Sequence, residues 1–191
     1  MNFSNKDGGK IIFELIKTIQ DKKDFLSEVD GKIGDGDHGI NMNKGFTMTY
    51  CKVNGKDYDM TTAFSVLGDT LLEDIGGSMG PLYGAFFDGL SEASEDHDVI
   101  DKKTFQEMIH TALEAIQDIG NAKRGDKTLL DTLIPAVEAY DGALEAGKDF
   151  KEALSELKSA AEDGWKSTED MVAKIGRRNP LNYFALIKRR I

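Results

Sequence analysis

Apolar residues recur at every third to fourth position along most of this chain. Ile11, Ile12, Leu15, Ile16 and Ile19 form one such stripe, and Phe64, Leu67, Leu71, Leu72 and Ile75 form a second. Phe105, Met108, Ile109, Ala112, Leu113, Ile116 and Ile119 form a third. This is the spacing of amphipathic helices with one buried face. Further helices are predicted over 39–53, 80–94, 128–146 and 150–175, with a short apolar one near 181–190. No run alternates apolar and polar residues in a way that demands a strand. Pro81 and Pro180 fall at first-turn positions, where a missing N–H does no harm. Pro135 lies inside a helical pattern, so it should kink that helix or mark a late start. The predicted fold class is all-α, about eight helices forming a single domain over 1–191.

The connections between these helices are of two kinds. Lys52 to Asp59 and Asp96 to Asp101 are polar and charged, as solvated turns are. Residues 30–39, 76–80 and 120–128 are rich in glycine and carry polar or reactive side chains at particular places. In an antiparallel helix array, alternate connections lie at the same end. The three glycine-rich loops are therefore expected to converge at one end and the polar turns at the other.

Composition narrows the range of functions. The chain has 191 residues, 40% hydrophobic and 30% charged, which suits a globular domain with its own core. It has no apolar run of the ~18 residues needed to span a bilayer, so no membrane segment is expected. The N-terminal residues lack the charged-then-apolar pattern of a signal sequence. A lone cysteine, Cys51, excludes an internal disulfide framework and suits a reducing, cytoplasmic setting; on its apolar helix it is expected in the core. The net charge of −10 argues against direct nucleic-acid binding, which needs clustered cations.

The chemistry concentrates in the glycine-rich loops. Asp30, Asp35 and Asp37 can be aimed at one point by the loop that joins them, with Gly31, Gly34, Gly36 and Gly39 allowing the fold-back. Three carboxylates at close range repel unless a cation sits among them. Oxygen ligands suit Mg²⁺, Ca²⁺ or Mn²⁺ rather than zinc. An EF-hand does not fit, because Gly39 and Phe46 stand where ligands would be required. Each aspartate taken alone can instead be a turn or capping residue, Asp37 in particular.

Gly76-Gly77-Ser78-Met79-Gly80-Pro81 precedes a helix and can leave backbone N–H groups exposed beside the positive end of its dipole. It is an anion site or an ordinary N-cap, and no Walker A lysine follows. Gly120 to Thr128 also ends at a helix start, with Thr128 or Asp126 as candidate caps. His38 can contact a phosphate or simply open its helix. His97 and His110 are expected to be incidental, and Trp165 is expected to serve packing.

These motifs carry a family resemblance. Ile33 to Met42, Gly76 to Gly84 and Gly125 to Asp131 resemble, in order, the signature of the dihydroxyacetone kinase nucleotide-binding domain, the L subunit family, over about 1–177. The resemblance implies an antiparallel eight-helix barrel with ADP at one end and two Mg²⁺ ions held by Asp30, Asp35 and Asp37. His38, Gly39 and Asn41 then match the nucleotide's phosphate end, and Gly77, Ser78 and Met79 match the phosphate loop. Gly120, Thr128 and Leu129 match the adenine side, and Arg177 a nucleotide-contacting arginine.

A free-standing chain of this length is similar to the phosphoenolpyruvate-dependent type. There an M subunit phosphorylates bound ADP from a phosphohistidine, and the γ-phosphoryl passes to dihydroxyacetone held on a K subunit. Related domains occur in fatty-acid kinases. A nucleotide-state sensor that binds a transcription regulator is the rival reading. After Gly176-Arg177 the chain departs from the family's usual closing segment, reading Arg178-Asn179-Pro180-Leu181 and ending at Ile191. Weaker ADP retention than in a relative with that segment is therefore expected.

Overall fold

The structure is a computed structural model, and it describes residues 1–175. The expected helix near 181–190 and Arg177 lie outside the described residues. In chain order the elements are β1 (Phe3–Ser4), α1 (Asn5–Gly8), α2 (Ile11–Asp21), α3 (Lys23–Gly31), α4 (His38–Val53), α5 (Met60–Asp74), α6 (Met79–Glu92), β2 (Val99–Ile100), α7 (Lys102–Ile119), α8 (Leu130–Glu145) and α9 (Phe150–Ser167). The all-α prediction holds for the described residues. Eight of the helices have nine residues or more, α1 is a single turn, and the two-residue strands pair antiparallel with Phe3 opposite Ile100.

The chain divides into two compact units, Met1–Ile119 and the residues from Gly120 onward. In the first unit, the C-terminal half of α5 runs antiparallel to the start of α6. A side chain at Gly80 would collide with the carbonyl oxygens of Leu71 and Ile75, and one at Gly84 would lie 3.1 Å from the Gly68 carbonyl oxygen. Ile12, Ile16, Phe46, Leu67, Leu71 and Met108 are all at most 2% exposed and make the core of this unit. The Phe46 and Phe87 rings meet edge to face, 6.0 Å between centroids. The expected stripes are only partly inward, since Ile11, Leu72 and Ile119 are exposed.

The two polar turns do come together. Asn5, almost buried, donates to Thr61 Oγ1 (2.8 Å) and to the His97 carbonyl (2.9 Å), and Thr61 meets Ser94 at 2.7 Å. Helix starts here are capped by aspartates: Asp59 accepts from Thr62 N at 2.7 Å, and Asp101 accepts from Thr104 N at 3.0 Å.

The second unit is an α8–α9 hairpin, with Tyr140 and Phe150 edge to face at 6.5 Å near one end. Asp149 and Glu152 form a reciprocal capping box at the start of α9. Pro135 neither starts α8 late nor ends it: five helical residues precede it. Its ring cannot donate to the carbonyl of Asp131 one turn earlier. That same carbonyl is where Gly164 of α9 packs, a Cβ there lying 2.5 Å away. The helix predicted to reach 175 ends at Ser167, and Lys127 Nζ holds the following segment through the carbonyls of Glu169 (3.1 Å) and Met171 (2.9 Å).

Candidate functional site

The aspartate loop joins α3 to α4. Asp30 sits in the last turn of α3 and is buried, Asp37 stands immediately before α4 and is half-buried, and Asp35 is exposed between them. One carboxylate oxygen from each lies within 4.8 Å of the others. Gly36, at φ 75°, makes the reversal that allows this. Asp37 occupies the N-cap position but its backbone is helical and its side chain accepts no capping bond. The capping alternative for Asp37 is therefore not what this structure adopts. An all-oxygen donor set of three carboxylates, one of them buried, fits a hard divalent cation such as Mg²⁺ or Mn²⁺.

Ser78 behaves in the same way at the start of α6. It holds the N-cap position with a helical backbone and no side-chain cap, and Gly77 precedes it at φ 75°. Gly77 and Ser78 are exposed, and Met79 is half-buried. The first-turn N–H groups of α6 are thus not satisfied by the serine, which leaves them able to meet an anion. Pro81 is the third residue of the helix, as expected for a first-turn proline.

The N-terminal turns of α4 and α6 are neighbours. Tyr83 Oη lies 3.4 Å from His38 Nε2, and the two rings meet at 5.9 Å between centroids. Burial lowers the pKa of His38, partly offset by the charge of Asp37, and burial pushes the Tyr83 phenol up to about 12. Both groups are therefore neutral near pH 7, so the contact is a hydrogen bond between uncharged partners. Nothing in the sequence marks Tyr83 as a site residue. One tyrosine in an apolar helical run carries no signal beyond packing. Asn41 is in the first turn of α4 and half-buried, and Gly39 is buried against α3.

Gly120, Thr128 and Leu129 belong to the second unit. Gly120 is exposed, and Leu129 occupies the N-cap position of α8 without a side-chain cap. Neither expected cap serves α8 as a conventional N-cap. Thr128 Oγ1 accepts from Leu130 N at 3.2 Å, and Asp126 turns back to Lys123 N at 2.8 Å. The loop is instead organised by Asp131, 2% exposed, which accepts from Gly125 N (2.5 Å) and Thr128 N (2.8 Å). The short side chain of this aspartate, the second residue of α8, reaches back to both donors. Lys127 takes a left-handed φ of 60° within this turn.

Cys51 is exposed, not in the core, because it falls on the solvent side of α4. Trp165 is 43% exposed, so packing accounts for only part of its surface. His97 lies 3.9 Å from Glu107 at the surface. No helix among the described residues is long and apolar enough to cross a membrane.

The DAK2 domain family matches residues 32–184. The ADP-binding subunit DhaL of the PEP-dependent dihydroxyacetone kinase of Escherichia coli (strain K12) is 33% identical over 161 residues, 84% of this chain and 77% of that one. The corresponding subunit of PEP-dependent dihydroxyacetone kinase 1 of Listeria innocua is 36% identical over 144 residues, 70% of this chain and 72% of its own. In three dimensions the chain is similar to part of the dihydroxyacetone kinase of C. freundii. The match has a TM-score of 0.63 and 23% identity, covering 90% of this chain and 29% of that one. The class is thus a DAK2-domain protein of kinase type. The chain belongs to the DhaL family, the ADP-binding subunits of dihydroxyacetone kinases.

Proposed function

We propose that this chain is the nucleotide-carrying subunit of a phosphoenolpyruvate-dependent dihydroxyacetone kinase, working as one nucleotide-binding domain in the cytoplasm. The observation that carries the reading is the convergence of the Asp30, Asp35 and Asp37 carboxylate oxygens within 4.8 Å, on a loop whose last aspartate, Asp37, is not used as a side-chain cap. These three residues would hold two Mg²⁺ ions, which when bound screen the charge of a nucleotide's phosphate oxygens. Gly77, Ser78 and Met79 offer uncapped amides to a phosphate. His38 and Asn41, with Gly39 behind them, border the same region, and neutral His38 donates or accepts a hydrogen bond without adding charge. By the family resemblance, Gly120, Thr128 and Leu129 are assigned to the adenine side and Arg177 to a further nucleotide contact.

The residues named here position and neutralise, and no catalytic group is assigned beyond the metal–nucleotide centre. This suits a subunit in which ADP stays bound, receives a phosphoryl group from a phosphohistidine M subunit and passes it to dihydroxyacetone held on a K subunit. Regulator binding would be a second use of the same nucleotide state.

A reconstituted assay tests the reading. This protein, M and K subunits of a related system, phosphoenolpyruvate, dihydroxyacetone and Mg²⁺ should yield dihydroxyacetone phosphate, and Asp35→Ala or Asp37→Ala should abolish it. Nucleotide binding without any transfer, together with retention of a transcription regulator, would favour the sensor reading instead.

A further inference from the structure

A serine on α3 lies one turn before Asp30 and has no assigned role. Ser27 Oγ is sealed from solvent and makes no hydrogen bond among the described residues. A hydroxyl in a helix ordinarily bonds the carbonyl one turn back. Three threonines of this chain do so: Thr18 to Glu14 O (2.7 Å), Thr49 to Gly45 O (3.0 Å) and Thr70 to Val66 O (2.5 Å). Ser27 does not. The carbonyl it would use, that of Lys23, is packed against Gly39 in the first turn of α4, where any Cβ would collide with it. The Ser27 hydroxyl lies at the same crossing, 2.6 Å from where a Gly39 Cβ would stand, and the Ser27 carbonyl approaches Gly36 of the aspartate loop.

This crossing governs the separation of the carboxylates. Asp30 is carried by α3, three residues after Ser27 and so on the same side of the helix. Asp37 is carried by the start of α4, two residues before Gly39. A buried hydroxyl with no partner is destabilising, so one in contact with the ligand loop is explained if loading of the loop gives it a partner. We infer that Ser27 is a positioning residue of the cation site. Its hydroxyl bonds the aspartate loop or the first turn of α4 once the three carboxylates close on a divalent ion, and so locks α3 to α4 in the loaded state. The inference rests on the cation site proposed above. Removing groups that orient metal ligands commonly weakens metal binding by ~10- to 100-fold.

The test uses the full chain and Mn²⁺ alone, with binding read from loss of the free-ion electron paramagnetic resonance signal. Thermal unfolding of the metal-free protein is measured alongside. Ser27→Ala keeps the Cβ and the helix. Its Mn²⁺ affinity should fall by about tenfold, at the lower end of that range, while its metal-free melting temperature stays the same or rises. Ser27→Thr retains the hydroxyl and should bind within about twofold of the unaltered protein. Equal binding by the Ala variant and the unaltered protein would overturn the inference, as would equal losses in the Ala and Thr variants. Lower metal-free stability in Ser27→Ala would also overturn it, by showing that the hydroxyl already has a partner. No Mn²⁺ binding by the unaltered protein would instead overturn the cation site itself.

Discussion

Replacing Asp88 by asparagine should remove a pH-dependent weakening of the first unit. Asp88 is on α6 and its carboxylate lies against Gly68 of α5, so closely that a side chain at Gly68 would collide with it. Burial, and then the charge of Asp69, raises its pKa from 3.8 to about 6. An acid with a raised native pKa holds its proton more tightly when folded. Its favourable contribution is complete below the unfolded value of 3.8 and is lost as pH rises through about 6. At about 1.36 kcal/mol per pH unit, a change of this size amounts to about 3 kcal/mol for a group sealed from water. Asp88 is only half-buried, and solvent screening reduces this to about 1 kcal/mol. Asparagine keeps the shape and never ionises. Urea unfolding from pH 4 to pH 8 should show the unaltered protein losing about 1 kcal/mol more than Asp88→Asn over that range. Parallel stability curves, or a greater loss in Asp88→Asn, would refute the reasoning.

Other outcomes follow from the packing and the loops. Asp131→Ala leaves the Gly125 and Thr128 amides without their acceptor, and should cost about 2–3 kcal/mol in urea unfolding. Phe46→Ala, at a 2% exposed site against Phe87, should cost about 3–5 kcal/mol by the same measurement. Cys51 should react with a thiol reagent as fast in the folded protein as in urea; strong protection in the folded state would contradict its exposed placement.

The parts of this structure that sequence revealed are those with local causes. Asp30, Asp35 and Asp37 lie within eight residues and among glycines, so their convergence needed only one loop. The helices α4 to α9 follow from apolar periodicity, although α9 stops at Ser167, where Lys127 takes up the following carbonyls from far along the chain. Helix α3 shows no apolar stripe in the sequence, because its nine residues hold four charged side chains and its Phe25 is 45% exposed. Strands β1 and β2 are two residues each and exist only through their pairing, which no local pattern announces. The roles of Tyr83 and Asp131 depend on partners brought together by helix packing or by the reach of one carboxylate. Cys51 and Leu72 show the same limit from the other side, since an apolar helix says little about which of its edges faces solvent.

The most direct test of the central claim is calorimetric titration of ADP into this protein with and without Mg²⁺, repeated for Asp30→Ala, Asp35→Ala and Asp37→Ala. Binding should require the cation and be lost in all three variants, while each variant keeps its helical circular dichroism. ADP binding of equal strength without Mg²⁺, or unchanged in the aspartate variants, would contradict it.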